Sequence, residues 1–117
     1  LVVHGEDGLD EISLSGVTHI SELKNEKIIQ YIFDPKDYNY EYIKNSEIKG
    51  GDASYNAKKF IKMLDGEFKE FQHIVELNAG AALYLSGKVN NLKDGFALAK
   101  KVIDEKITKN YLHKITS

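Results

Sequence analysis

A chain of 117 residues, 42% apolar and 29% charged, has the composition of one globular domain. Its net charge of −2 provides no basic footprint for a phosphate backbone, so nucleic acid is not expected as a partner. Cysteine is absent, which excludes disulfides and thiolate metal sites; no apolar run approaches the roughly 20 residues of a membrane span, and no signal-peptide pattern opens the chain. A soluble, cytoplasmic protein without membrane contact is the expectation.

The first element is Leu1 to His4, a β-branched run that reads as a short buried strand. A strand at the very first residue, with no initiator Met, suggests a fragment of a longer protein. Gly5-Glu6-Asp7-Gly8 follows as a turn-rich loop, a favoured place for function after a buried strand. Val17 to Leu23 and Lys27 to Phe33 flank Lys24-Asn25-Glu26, which predicts an antiparallel hairpin with a three-residue loop. Asp34-Pro35 is a cap with proline at the first position of a helical turn, and the aromatic segment from Tyr38 to Tyr42 is expected to pack as irregular structure.

Three or four helices come next. Asp52 is the candidate N-cap of the first, whose apolar stripe is Ala53, Ala57, Phe60, Ile61 and Leu64, whose polar face is Lys58, Lys59 and Lys62, and which stops at Gly66. A second helix, Glu70 to Ser86, carries small residues at Ala79, Gly80, Ala81 and Ala82, where a neighbouring backbone can approach closely. Asn91 caps a third helix running through Asp104, and Ile107 to Ile115 forms a short last one. No repeat or linker divides the chain, so residues 1–117 are read as one piece of an α/β fold.

The densest chemistry is in Glu6, Asp7, Asp10 and Glu11, four carboxylates within six residues. Such a cluster is costly unless solvated or neutralised. Hard oxygen donors suit Mg²⁺, which often takes only one or two protein carboxylates and leaves its other positions to water and substrate phosphates. Asp10 and Glu11 are the candidate metal ligands, with a solvated acidic loop as the bland alternative. His4 lacks a paired nucleophile, and Ser13 and Ser15 lack the orienting group of a hydrolase. Gly50-Gly51 lacks the Lys-Ser or Lys-Thr of a phosphate loop and reads as a plain helix start. Asn78, among small apolar residues, is expected to be satisfied structurally.

The stretch Val2-Val3-His4-Gly5-Glu6-Asp7-Gly8-Leu9-Asp10-Glu11 resembles the metal-binding motif of the anthranilate phosphoribosyltransferases. Three further motifs follow in that family's order: Gly50-Gly51-Asp52 with Asn56-Ala57, Leu77-Asn78-Ala79-Gly80-Ala81-Ala82-Leu83-Tyr84, and Leu92-Lys93-Asp94-Gly95 leading to Ala99. Departures are Asn25-Glu26 where the hairpin usually has Asp-Gly, Asn39-Tyr40 where Gly-Leu is common, and Glu105-Lys106 where Ser-Gly often precedes the final helix. None touches the acidic pair.

The resemblance implies the C-terminal portion of a mixed-sheet α/β domain, with a short buried strand, a β-hairpin and three to four helices. The family's N-terminal helical domain and glycine-rich phosphate-binding loop have no counterpart in the chain. It also implies Mg²⁺ as cofactor on Asp10 and Glu11, phosphoribosyl pyrophosphate and anthranilate as substrates of a homodimeric parent enzyme of tryptophan biosynthesis, and no activity in the isolated fragment, which is expected to self-associate. No catalytic residue is assignable. The competing readings are a related pyrimidine nucleoside phosphorylase and a noncatalytic, nucleic-acid-binding relative on the same scaffold.

Overall fold

A computed structural model describes all of residues 1–117, which form two compact units, Leu1–Asn45 and Ser46–Ser117. The first unit is a sheet of three antiparallel strands in sequence order: β1 (Val2–Gly5), β2 (Thr18–Lys24) and β3 (Lys27–Phe33). On β2, Thr18, Ile20 and Glu22 are buried while His19 and Leu23 are exposed, the period-two pattern of a half-buried strand. The buried Glu22 is not left unpaired, since the Tyr31 hydroxyl on β3 donates to its carboxylate at 3.1 Å.

Two expectations for this unit need correction. The hairpin loop is two residues, not three, because Lys24 pairs with Lys27 and leaves Asn25 and Glu26 to turn at φ 50° and 62°. Positive φ at both central residues is what the tight turn compatible with strand twist requires, and lysines, common in loops, disguise the last pair of the ladder. The opening strand is also not buried within this chain. It sits at a sheet edge, and Val2 is 73% exposed. Val2 lies opposite Ser21, Leu23 opposite Ile28 and His19 opposite Ile32, so alternation places Val2, Leu23, Ile28 and Ile32 together on the outward face.

After β3, Asp34 caps a short 3₁₀ turn, Pro35–Tyr38, by accepting from the Lys36 N–H, with proline at its start as expected. Tyr38 stacks on Phe33 with ring centroids 5.0 Å apart, and the Tyr42 hydroxyl donates to Asp34, which fastens the irregular aromatic segment.

The second unit contains four helices: α1 (Ala53–Leu64), α2 (Lys69–Leu85), α3 (Leu92–Asp104) and α4 (Ile107–Thr116). Asp52 and Asn91 cap α1 and α3 by accepting from the N–H groups of Tyr55 and Asp94. Gly66 and Gly87, at φ 99° and 75°, close α1 and α2 with the paired bonds of a Schellman ending: Glu67 N–H donates to Lys62 and Lys88 N–H to Leu83. At the α2–α3 crossing, backbone meets backbone. A Cβ on Gly95 would lie 2.2 Å from the Gly80 carbonyl oxygen, and one on Gly80 would lie 2.6 Å from the Phe96 nitrogen. The small residues of α2 therefore do admit a neighbouring helix.

The faces of α1 differ from the sequence pattern. Met63 and Leu64 are buried with Ile103 of α3, flanked by Phe60, Phe71, Val75 and Leu112, but Ala53, Ala57 and Ile61 are exposed. Lys59, assigned to the polar face, is only 7% exposed. Its ammonium donates to the carbonyls of Glu47 and Lys49 at 3.2 and 3.3 Å and lies within 6.0 Å of the Tyr55, Phe68 and Phe71 ring centroids. A lysine whose donors meet carbonyls and whose charge meets aromatic faces is tolerated inside; helical spacing alone marks it as charged and therefore outward.

Candidate metal centre

The acidic residues lie on the connection between β1 and β2, residues 6–17. Its base is closed by the Glu6 N–H, which donates to the Val17 carbonyl at 2.9 Å. Inside it, the Gly5 N–H donates to Leu9 at 2.8 Å and the Gly8 N–H to Gly5 at 2.9 Å, folding residues 5–9 into a tight turn with Gly8 at φ 92°. The following Ile12, Ser13 and Leu14 are all but fully buried and anchor the far side of the loop.

The four carboxylates do not share one role. Asp7 points into the loop. Its Oδ1 accepts from the Leu9 N–H at 3.1 Å and its Oδ2 from the Ser13 hydroxyl at 2.7 Å, while the Ser13 oxygen accepts in turn from the Ser15 N–H at 2.9 Å. Burial pushes the Asp7 carboxyl up, but the bonds from Ser13, Leu9, Asn45 and Ser15 together outweigh it and leave the pKa below its ordinary 3.8. Ser15 also hydrogen-bonds Asn45, at the end of the same unit. Ser13 is thus committed to the loop and is no nucleophile.

Asp10 and Glu11, by contrast, are exposed. Neither takes part in the ion pairs Lys62–Glu67, Lys100–Asp104, Lys101–Glu105 and Lys109–Asp65. No group of three or more His, Cys, Asp or Glu side chains is assembled anywhere, so His4 is not a third ligand. An ion that requires three or four protein ligands, as zinc does, does not fit this pair. Two exposed hard carboxylates are the donor chemistry of magnesium, which keeps water and phosphate oxygens in its other positions.

The remaining sequence candidates are structural. Asn56 clasps Gly51, accepting from its N–H at 2.9 Å and donating to its carbonyl at 3.0 Å, so that N–H is not offered to an anion. This bond and the Asp52 cap account for the spacing of Gly50-Gly51-Asp52 and Asn56. Asn78 donates to the Ile74 carbonyl at 3.0 Å, the structural satisfaction expected of it. Two cavities belong to the second unit: one of about 510 Å³ lined by Val75, Ala79, Leu83 and Val102, and one of about 520 Å³ lined by Phe60, Ile61, Leu64 and Leu112. Their walls are mainly apolar, with Ser86 and Thr108 at the first and Lys109, His113 and Thr116 at the second.

Residues 1–106 match the model of the glycosyl transferase family, a/b domain. The chain belongs to this family. It is 43% identical, over 98% of its own length, to the anthranilate phosphoribosyltransferase of Thermoanaerobacter sp., and 39% identical over its full length to that of Clostridium beijerinckii. In each case it spans 34% of the relative, so it covers about a third of the curated proteins it matches. Among solved structures, the anthranilate phosphoribosyltransferase of Thermus thermophilus superposes with a TM-score of 0.83 at 32% identity, covering 97% of this chain and 33% of that one. This places the sheet and helices in the α/β fold of that family, as its C-terminal part. A Saccharomyces cerevisiae variant described with Mg bound shares the fold, with a TM-score of 0.76 at 23% identity over 89% of this chain and 31% of that one.

The sequence motif pointed to the correct family but left the division of labour among the carboxylates invisible. Asp7, Ser13 and Asn45 shape the loop, and only the placement of Ser13 six residues after Asp7, beyond Gly8, hints at their bond.

Proposed function

We propose that this chain is the C-terminal part of the α/β domain of an anthranilate phosphoribosyltransferase, and that it carries the Mg²⁺-holding pair of that enzyme. The observation that carries the reading is the exposed Asp10-Glu11 pair on a loop pinned by Asp7, in a chain 43% identical to an anthranilate phosphoribosyltransferase. The reaction joins the anthranilate nitrogen to C1 of the ribose of phosphoribosyl pyrophosphate. A C–N bond forms, the C1–O bond to pyrophosphate breaks with its electron pair leaving on the phosphate oxygen, and the amine gives up a proton.

Asp10 and Glu11 hold Mg²⁺, which when bound supplies positive charge against the pyrophosphate. The chain's own contribution is geometric: two carboxylates are presented to solvent from a turn whose backbone bonds are satisfied internally. Neither carboxylate acts as a base in this reading, and no residue of the chain is assigned to anthranilate. The nucleoside phosphorylase reading is not favoured, because the relatives at 43% and 39% identity are anthranilate phosphoribosyltransferases.

The test is a chimera in which residues 1–117 replace the matching third of the Thermoanaerobacter relative. Consumption of anthranilate, followed by its fluorescence in the presence of phosphoribosyl pyrophosphate and Mg²⁺, is expected within about tenfold of the unaltered relative. A chimera that folds with a sharp melting transition yet consumes no anthranilate contradicts the assignment.

A further inference from the structure

We infer that Asp7 is a positioning residue for the metal-holding pair, and not a ligand; this rests on the reading that Asp10 and Glu11 hold Mg²⁺. By composition, the loop offers four equivalent carboxylates. The structure separates them. Each Asp7 oxygen is already committed to a donor of its own loop, Oδ1 to Leu9 and Oδ2 to Ser13. A carboxylate that bridges a backbone N–H two residues on and a hydroxyl six residues on fixes the path of residues 7–13, the segment that contains Asp10 and Glu11.

The surroundings are built to that position. A Cβ on Gly5 would come 2.5 Å from the Asp7 Oδ1 and 3.1 Å from the Ser13 Cβ, so the absence of a side chain at residue 5 is what lets the Asp7 carboxylate sit where it does. Ser13, fully buried, receives further support because its N–H donates to the Thr18 hydroxyl at 3.0 Å, at the first residue of β2. Asp7 therefore ties the turn to the sheet. Two adjacent carboxylates on an untied loop would repel and splay, whereas a cation contacts both only if their backbone is already held. Groups that orient metal ligands without touching the metal typically change affinity by 10–100-fold when removed.

The experiment is a titration of the 117-residue chain with Mn²⁺ alone, read by paramagnetic broadening of its backbone amide resonances, alongside metal-free thermal unfolding of each variant. In the unaltered chain, the amides of residues 9–12 broaden first. Asp7→Ala and Ser13→Ala are expected to broaden the same amides but to need about tenfold more Mn²⁺. Asp7→Asn, whose carbonyl oxygen still accepts from Leu9, is expected to fall between Asp7→Ala and the unaltered chain. Folded variants that lose melting temperature yet keep the original Mn²⁺ affinity overturn the positioning role, leaving Asp7 a stability residue only. Loss in Asp7→Asn as complete as in Asp10→Asn also overturns it, by making Asp7 a ligand. If Asp10→Asn and Glu11→Gln both retain the original broadening, the metal reading fails first and the positioning role falls with it.

Discussion

Substituting Gly95→Ala tests whether the α2–α3 crossing is set by backbone contact. The added Cβ would stand 2.2 Å from the Gly80 oxygen and 2.9 Å from its carbonyl carbon, where ordinary contact begins at 3.4 Å. Neither atom belongs to a flexible side chain, so relief requires the helices to separate by more than an ångström. A gap of that size forfeits up to about half the dispersion well of each contact it opens, and the two helices carry the buried Leu77, Ala81, Phe96 and Ala99. Overpacking typically costs about 1–3 kcal/mol, and a clash of backbone on backbone belongs at the upper end or above. Alanine returns about 1 kcal/mol through helix propensity. The net expectation is a loss of about 2–3 kcal/mol, a large part of the total for a domain of this size. Urea unfolding followed by circular dichroism measures it. Gly80→Ala should cost a similar amount, and the double variant less than the sum, because both intrude on one crossing. Gly87→Ala, at φ 75° with nothing within 4 Å of the added Cβ, isolates backbone strain and should cost only about 1 kcal/mol. If Gly95→Ala is as stable as the unaltered chain, or no worse than Gly87→Ala, the close approach does not govern the packing.

Glu26→Gly places glycine at a φ of 62° in the β2–β3 turn and should stabilise by about 0.5–1 kcal/mol, seen as a higher melting temperature; a lower one would count against the turn geometry. Asp7 and Asp104 are both held below the ordinary carboxylate pKa in the folded chain: for Asp104 the Lys100 ammonium is the leading cause, with the Gln72 amide adding to it. A depressed folded pKa adds stability above the unfolded value that is lost as pH falls through the folded one, so unfolding should steepen below about pH 4. Asp104→Asn should flatten that limb in a series of urea midpoints between pH 2 and pH 6, and an unchanged slope would remove the ion pair from the account.

Local chemistry made much of the fold legible. Asp52 and Asn91 as caps, Gly66 as a stop, and proline after Asp34 are each decided by a few neighbouring atoms, which a sequence displays. What a side chain meets across the fold is not displayed. Lys59 is charged, and nothing in its spacing shows that the Glu47 and Lys49 carbonyls wait for its ammonium. The opening strand is β-branched, which makes burial favourable without supplying a surface to cover it, and Val2 stands outward. In the acidic loop, Asp7, Asp10 and Glu11 are chemically near-identical; the loop's own donors turn one inward and leave two outward.

The central claim is that Asp10 and Glu11 serve a metal and not the fold. Its most direct measurement is rate against Mg²⁺ concentration in the chimera, for Asp10→Asn and Glu11→Gln, beside metal-free melting of the same proteins. Each amide keeps the shape of the carboxylate and removes its charge, so the rate should fall on the order of 10²-fold or more, with weaker Mg²⁺ dependence. Melting temperature should hold or rise, because thinning the cluster relieves repulsion between like charges. Retained activity with an unchanged Mg²⁺ dependence, or a loss that tracks a collapse in melting temperature, would make the pair a structural feature of the loop and contradict the account.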